Sequence, residues 1–252
     1  LDHELIVLSD LHANRPALEA VVATLPPKPR KVACLGDFLG YGSDPVELMR
    51  FVFEECHGLA VKGNHEGGVV AAKVAHGRLG LMVAAAIDKS WRWTAELLTM
   101  ERIRQIDGLP LSIHAWLGRR RLVLTHGSPS SCNDYLIEPG IIAQELQRLP
   151  PGTLLLGGHT HWPGVWSIEG NRVSVGHGEV MLPVGETYLV NPGSVGQPRD
   201  SDPRAAFAVL EDTQKGTLVR FRRVEYDVEA AATGILRVGL PEPFAARLRR
   251  GT

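Results

Sequence analysis

Five short apolar runs in this chain are each followed closely by side chains that can ligate a metal ion or move a proton. Residues 4–8 lead into Ser9-Asp10-Leu11-His12, and residues 31–35 into Gly36-Asp37. Residues 58–61 lead into Gly63-Asn64-His65-Glu66, residues 121–124 into Thr125-His126-Gly127, and residues 153–156 into Gly157-Gly158-His159-Thr160-His161. Taken alone, a histidine after a strand is usually a satisfied core or surface residue, and an aspartate such as Asp37 usually caps a helix or forms a turn. Five such endings in one chain mean more, because side chains at the carboxyl ends of strands in an α/β sheet converge on one crevice. Glycines before Asp37, Asn64 and His159 suit the tight turns such a crevice needs.

The elements that must position these groups follow from pattern. The five runs are short, rich in β-branched residues and without clean alternation, which predicts strands buried on both faces. Between the first two, residues 14–25 form a helix with Asn14 as N-cap, Pro16 in its first turn and Pro26-Pro27 as its stop. A second helix opens at Asp44-Pro45 and runs to about Cys56, so strand and helix alternate. The stretch 67–107 has helical texture throughout and is expected to be a helical insertion. From Trp162 onward, segments 164–168, 172–175, 187–190, 205–210 and 217–224 are separated by Gly, Asn and Asp turns, which predicts a second, largely antiparallel sheet. Residues 228–252, interrupted by Pro241 and Pro243, are expected to form a surface helix or a frayed tail.

Bulk properties narrow the class of protein. Hydrophobic residues make up 44% and charged residues 22%, a globular balance that argues against a disordered or fibrous chain. The 252 residues suit a single domain over 1–252. A formal net charge of -1 supplies no overall basic field for nucleic acid or an anionic membrane, so phosphate affinity must be local. Cys34, Cys56 and Cys132 are few and scattered, which suits a reducing compartment, with the cytoplasm as the default. The opening residues run straight into a strand-like segment, so no secretion signal is expected, and the longest apolar stretch, 79–87, is too short for a bilayer span.

The series Asp10-x-His12, Gly36-Asp37, Gly63-Asn64-His65-Glu66, His126 and Gly158-His159-x-His161 resembles the calcineurin-like metallophosphoesterase superfamily, and its small bacterial phosphodiesterase-like branch in particular. Asn191-Pro192-Gly193-Ser194-Val195-Gly196 resembles that branch as well. The resemblance implies an α/β fold of two stacked mixed β-sheets flanked by helices, an αββα sandwich carrying the insertion at 67–107. It implies one metal held by Asp10, His12 and His161, a second held by Asn64, His126 and His159, and Asp37 bridging the two. Mixed imidazole and oxygen donors suit Mn²⁺, Fe²⁺, Co²⁺, Ni²⁺ or Zn²⁺, with Mn²⁺ favoured, better than Mg²⁺ or Ca²⁺. Two departures stand out: Glu66 replaces an aspartate found in some members, at a position that is no ligand, and Phe38-Leu39-Gly40-Tyr41-Gly42 stands where a second acidic residue is common.

Two such cations about 3.5–4 Å apart lower the pKa of a shared water, so the expected reaction is attack of a metal-bridging hydroxide on phosphorus. His65 is the catalytic candidate, to protonate or stabilise the leaving oxygen, against the alternative that it only orients a ligand such as Asp10. Asn14 at a helix N-terminus, with Asn191, Ser194 and Arg199, are candidates to bind substrate phosphate, although Pro192-Gly193 also suits an ordinary turn. Trp91 and Trp93 are either a stacking wall or core. The expected substrate is a small phosphate ester, nucleotide-derived esters included: a phosphodiester first, a phosphomonoester or dinucleoside polyphosphate as alternatives. A catalytically silent scaffold on the same fold is the rival from another class. The sequence is compatible with an oligomer.

Overall fold

The computed structural model describes residues 3–28, 30–74 and 84–252. Strand β1 (Glu4–Leu8), helix α1 (Arg15–Thr24) and strand β2 (Val32–Cys34) form a βαβ unit with the two strands parallel. Asn14 caps α1 as its sequence indicates, its Oδ1 accepting the Ala17 N–H at 3.1 Å. Helix α2 (Pro45–Glu55) follows. The helical stretch resolves into α3 (Asn64–Val74), α4 (Ala85–Leu97) and α5 (Met100–Asp107), with residues 75–83 outside the described ones. After these come β3 (Ser112–Leu117), β4 (Arg120–Thr125), α6 (Pro139–Gln147), β5 (Thr153–Leu156), β6 (Gly164–Ser167) and β7 (Arg172–Ser174). The chain ends with β8 (Glu179–Pro183), β9 (Tyr188–Asn191), β10 (Ala205–Thr213), β11 (Gly216–Val224), α7 (Val228–Arg237) and α8 (Glu242–Arg250).

Two mixed sheets result, ordered β2-β1-β10-β11-β8 and β3-β4-β5-β9-β6-β7. Leu5 and Val7 of β1 pack between the sheets with Leu122, Leu124, Leu154 and Leu156. Their neighbours Ile6 and Leu8 face the opposite way, onto Leu18 and Val21 of α1 and Leu48 and Val52 of α2. On the far side, Val123, Leu155 and Leu189 meet Ile142 and Leu146 of α6. Both faces of the central strands are therefore covered, which is why their sequences lack polar alternation. Each fully buried Leu contributes about 1.5–3 kcal/mol of burial, so the strand ends sit on a stiff base.

Three expectations are corrected. The segments after Trp162 do not form a sheet of their own: β10 and β11 complete the first sheet beside β1, while β9 lies parallel to β5 in the second. The run 58–61 is not a strand, and only Ala60 bridges to Cys34. The C-terminal stretch is two helices rather than one helix or a frayed end, with Ile235, Phe244 and Leu248 buried together against Tyr41. Pro241 serves as the N-cap position of α8 rather than a breaker. Among the described residues, no helix is long and apolar enough to cross a membrane.

Candidate metal centre

The loops after β1, β2, β4 and β5, together with the start of α3, meet at one end of the sandwich. Backbone conformation there is unusual: Asp10, His12, Asp37, His159 and His161 all have φ between 45° and 65°, in the left-handed region. Each such non-glycine residue costs on the order of 1–3 kcal/mol and persists only where its surroundings hold it. The turns are held tightly. Asp10 N donates to the Gly36 carbonyl at 3.1 Å and His12 N to the Asp37 carbonyl at 2.9 Å. A Cβ on Gly63 would collide with the Asp37 carboxylate, so only glycine fits beside that turn.

The side chains form two clusters that share Asp37. In the first, His161 Nε2 lies 3.2 Å from Asp10 Oδ1 and 3.2 Å from His12 Nε2. In the second, His126 Nε2 lies 3.1 Å from Asn64 Oδ1, 3.0 Å from His159 Nδ1 and 3.3 Å from Asp37 Oδ2. Asp37 Oδ1 is occupied by the His65 N–H at 2.8 Å, which leaves Oδ2 facing both clusters, 3.9 Å from His12 Nε2. Ligand bonds of about 2.1 Å at right angles set donor atoms about 3.0 Å apart, the spacing observed.

The donor chemistry fits cations. His12, His126 and His161 direct Nδ1 at the carbonyls of Leu39, Leu35 and Gln197, at 3.1, 2.8 and 2.5 Å. An Nδ1–H donating to a carbonyl leaves the Nε2 lone pair free, the usual arrangement of a metal-bound histidine. Lone pairs of this kind 3.2 Å apart repel unless something positive lies between them. Asp10 Oδ1 is also buried without a hydrogen-bond partner, whereas Asp10 Oδ2 accepts from Ser9 Oγ at 2.6 Å and His159 N at 3.1 Å. A buried carboxylate oxygen lacking a partner is costly, and a divalent ion removes that cost.

Electrostatics within the cluster separate its members. Burial alone would raise both carboxyls, but His161 beside Asp10, and His126 and His65 beside Asp37, hold them below the usual carboxylate range. Burial pushes His65 and His159 each down to about 4, and it lowers His12 as well. Burial also opposes charge on His126, yet Asp37 outweighs it and raises that imidazole to about 9. In the metal-free protein a proton on His126 thus stands where a cation would bind.

Glu66, which the sequence suggests is inconsequential, is the hub of the turn. Its Oε2 accepts the N–H groups of Asp37 at 2.7 Å and Gly63 at 2.9 Å, and its Oε1 accepts that of Leu39 at 3.0 Å. Burial and the nearby Asp37 raise its carboxyl to about 8. Of the residues expected to meet substrate, only Arg199 lines the cleft. Asn14 is buried, with its amide donating to the Gly196 carbonyl and to Tyr226 Oη. Asn191 donates to the Gly158 carbonyl and Thr160 Oγ1 and accepts from Gly193 N, the ordinary turn that Pro192-Gly193 suggested. Ser194 donates to the Asp10 carbonyl and accepts from Gln197 N. These three polar groups brace the ligand loops, and their side-chain donors are all used in doing so.

A cleft of about 110 Å³ opens over the cluster, lined by Asp37, Asn64, His65, Tyr135, His159 and Arg199 among others. Arg199 has its Nε unpartnered, and its guanidinium lies 6.0 Å from the centre of the Tyr41 ring. Tyr135, half exposed, stacks on His159 with ring centres 3.8 Å apart. Nothing in the sequence near Tyr135 marks it. Trp91 is buried with the core and also borders the cleft, where its ring stands edge-on to His65.

A helix-flanked pair of mixed sheets with histidines and aspartates gathered at one end defines the metallophosphoesterase class. The chain belongs to the calcineurin-like phosphoesterase superfamily, whose domain matches residues 4–215. It is 34% identical over 248 residues to an uncharacterized protein of Methanocaldococcus jannaschii, covering 97% of each chain. A metallophosphoesterase from Sphaerobacter thermophilus superposes with a TM-score of 0.83 at 32% identity, over 99% of both chains. A hypothetical protein from Pyrococcus horikoshii shares the fold, with a TM-score of 0.79 at 21% identity over 100% of this chain and 99% of the other.

Proposed function

We propose that this cleft hydrolyses a phosphate ester, with a phosphodiester as its substrate and Mn²⁺ as the favoured metal. The observation that carries the reading is the meeting of two donor sets across one carboxylate oxygen, Asp37 Oδ2. Asp10, His12 and His161 on one side and Asn64, His126 and His159 on the other would hold two divalent cations, which when bound would supply Lewis acidity to the phosphoryl oxygens and acidify water. The chain's own groups complete the site. Arg199, whose side chain lines the cleft, binds a non-bridging phosphate oxygen through a charge-assisted hydrogen bond from its guanidinium. His65 presents Nε2 to the leaving oxygen from the side opposite its Nδ1 partner. The half-exposed Tyr135 ring and Ile87 give the rim an apolar edge, which suits the second organic substituent of a diester, an aromatic one included.

The test is turnover of bis-p-nitrophenyl phosphate against p-nitrophenyl phosphate by protein reconstituted separately with Mn²⁺, Zn²⁺, Co²⁺, Ni²⁺ and Fe²⁺. Faster diester turnover with at least one metal is the expected result. Preference for the monoester would move the assignment to a phosphatase. No turnover of either by protein shown to contain two ions would leave a binding scaffold.

A further inference from the structure

His65 lies in the first turn of α3, buried, between the cleft and helix α4. On its inner side Trp91 of α4 donates its indole N–H to His65 Nδ1 at 3.0 Å, with the two rings edge-on at 89° and their centres 5.5 Å apart. On its outer side Nε2 faces the cleft, 4.0 Å from Asp37 Oδ2. Tyr41 and His12 flank the ring at 4.5 and 4.8 Å between centres, so it has little room to turn. The backbone is shaped for this contact as well. A Cβ on Gly68, one turn along α3 from His65, would overlap the Trp91 ring.

An indole nitrogen is a donor and never an acceptor, whereas a neutral imidazole has one nitrogen of each kind. With the Trp91 N–H aimed at Nδ1, that nitrogen must hold the lone pair, and the ring proton must sit on Nε2. Turning the ring over would set the indole N–H against a carbon and leave a buried donor unsatisfied. We propose that Trp91 is a positioning residue that fixes His65 as its Nε2–H tautomer, so that the cleft is presented with a hydrogen-bond donor and not a base. The catalytic consequence rests on the phosphoesterase reading: His65 donates to the leaving oxygen as negative charge builds there, and it cannot take a proton from an attacking water. Trp91 thereby acts on the chemistry through His65, by way of one N–H group. An imidazole held in this way helps most when the leaving group is a poor one, because a good leaving group carries its own charge.

Long-range ¹H–¹⁵N correlation spectra of metal-free and Zn²⁺-loaded ¹⁵N-labelled protein test the tautomer directly. In the wild type His65 should show a protonated Nε2 and an unprotonated Nδ1, and in Trp91→Phe it should show a mixture of tautomers. On aryl phosphodiesters, Trp91→Phe should lose at least about tenfold in kcat for weakly acidic leaving phenols and less than about threefold for p-nitrophenol, with KM unchanged. A wild-type spectrum with the proton on Nδ1 overturns the proposal, whether or not the variant folds. So does a Trp91→Phe protein whose tautomer and leaving-group dependence match the wild type, since a packing role predicts that. If no phosphate ester is turned over at all, the hydrolase reading fails, while the spectrum still decides the tautomer.

Discussion

Replacing Glu66 by Ala should destabilise the protein strongly while leaving all seven metal-ligand side chains in place. The side chain is fully buried and accepts three backbone N–H groups, from Asp37, Gly63 and Leu39. A buried N–H left without a partner costs about 1–3 kcal/mol, so three set a floor of about 3 kcal/mol before any loss of packing. Water entering the space would soften this, but Asp37 already sits in a left-handed conformation with φ 51° and relies on its bonds to stay there. Glu66→Gln should cost less, about 1–3 kcal/mol, because the amide oxygen keeps two of the three donors and only the third meets an NH₂ group. Urea unfolding of the metal-free protein, followed by far-UV circular dichroism, measures both. A Glu66→Ala loss below about 1 kcal/mol would mean that the three bonds do not hold the turn, and the account of why Asp37 stays in place would be wrong.

Metal binding should release close to one proton per chain near pH 7.5, because His126 is protonated there in the metal-free protein, with its pKa raised to about 9. Titration calorimetry in buffers of different ionisation enthalpy counts that proton, and a count near zero would contradict the assignment of His126. The same raised pKa, above an unfolded value near 6.5, stabilises the metal-free fold fully below pH 6.5. That contribution disappears as pH rises through about 9, whereas Glu66, raised to about 8, loses its own contribution between about 4.5 and 8. Above about pH 6.5, where the depressed His65 and His159 contribute no further change, metal-free stability should therefore decline toward alkaline pH, and denaturant midpoints across that range check the direction. Arg199→Met removes, among the described residues, the one guanidinium lining the cleft and its bond to Gln197 Oε1. It should lower kcat/KM by about 10- to 100-fold with little change in stability, and an unchanged kcat/KM would remove Arg199 from substrate binding.

How much of this was legible in the residues depended on how local each relation is. Except for Asn64, the ligand positions stood out because each follows a strand buried on both faces, so chemistry and scaffold lie within a few residues of each other, as in Leu8 to His12. Sheet topology was not legible in the same way. Strand β1 pairs with β10, joining Glu4 to Glu211, and nothing in either segment names so distant a partner. The hairpin texture after Trp162 was real, but texture carries no information about which of two sheets a strand joins. Glu66 was missed because its partners are backbone N–H groups, which every residue possesses, presented by a turn whose left-handed φ leaves no mark at a position occupied by Asp. Asn191 and Ser194 show the converse error. Polar side chains next to a catalytic loop suggest substrate, yet a strained loop needs such bonds for itself, and here they are used for that.

Anomalous diffraction from crystals grown with Mn²⁺ is the most direct test of the central claim. Two peaks per chain are expected on either side of Asp37 Oδ2, one within bonding distance of Asp10, His12 and His161 and the other of Asn64, His126 and His159. No peak in that cleft, or a single ion that leaves one of the two histidine sets without a metal, would contradict a shared two-metal centre.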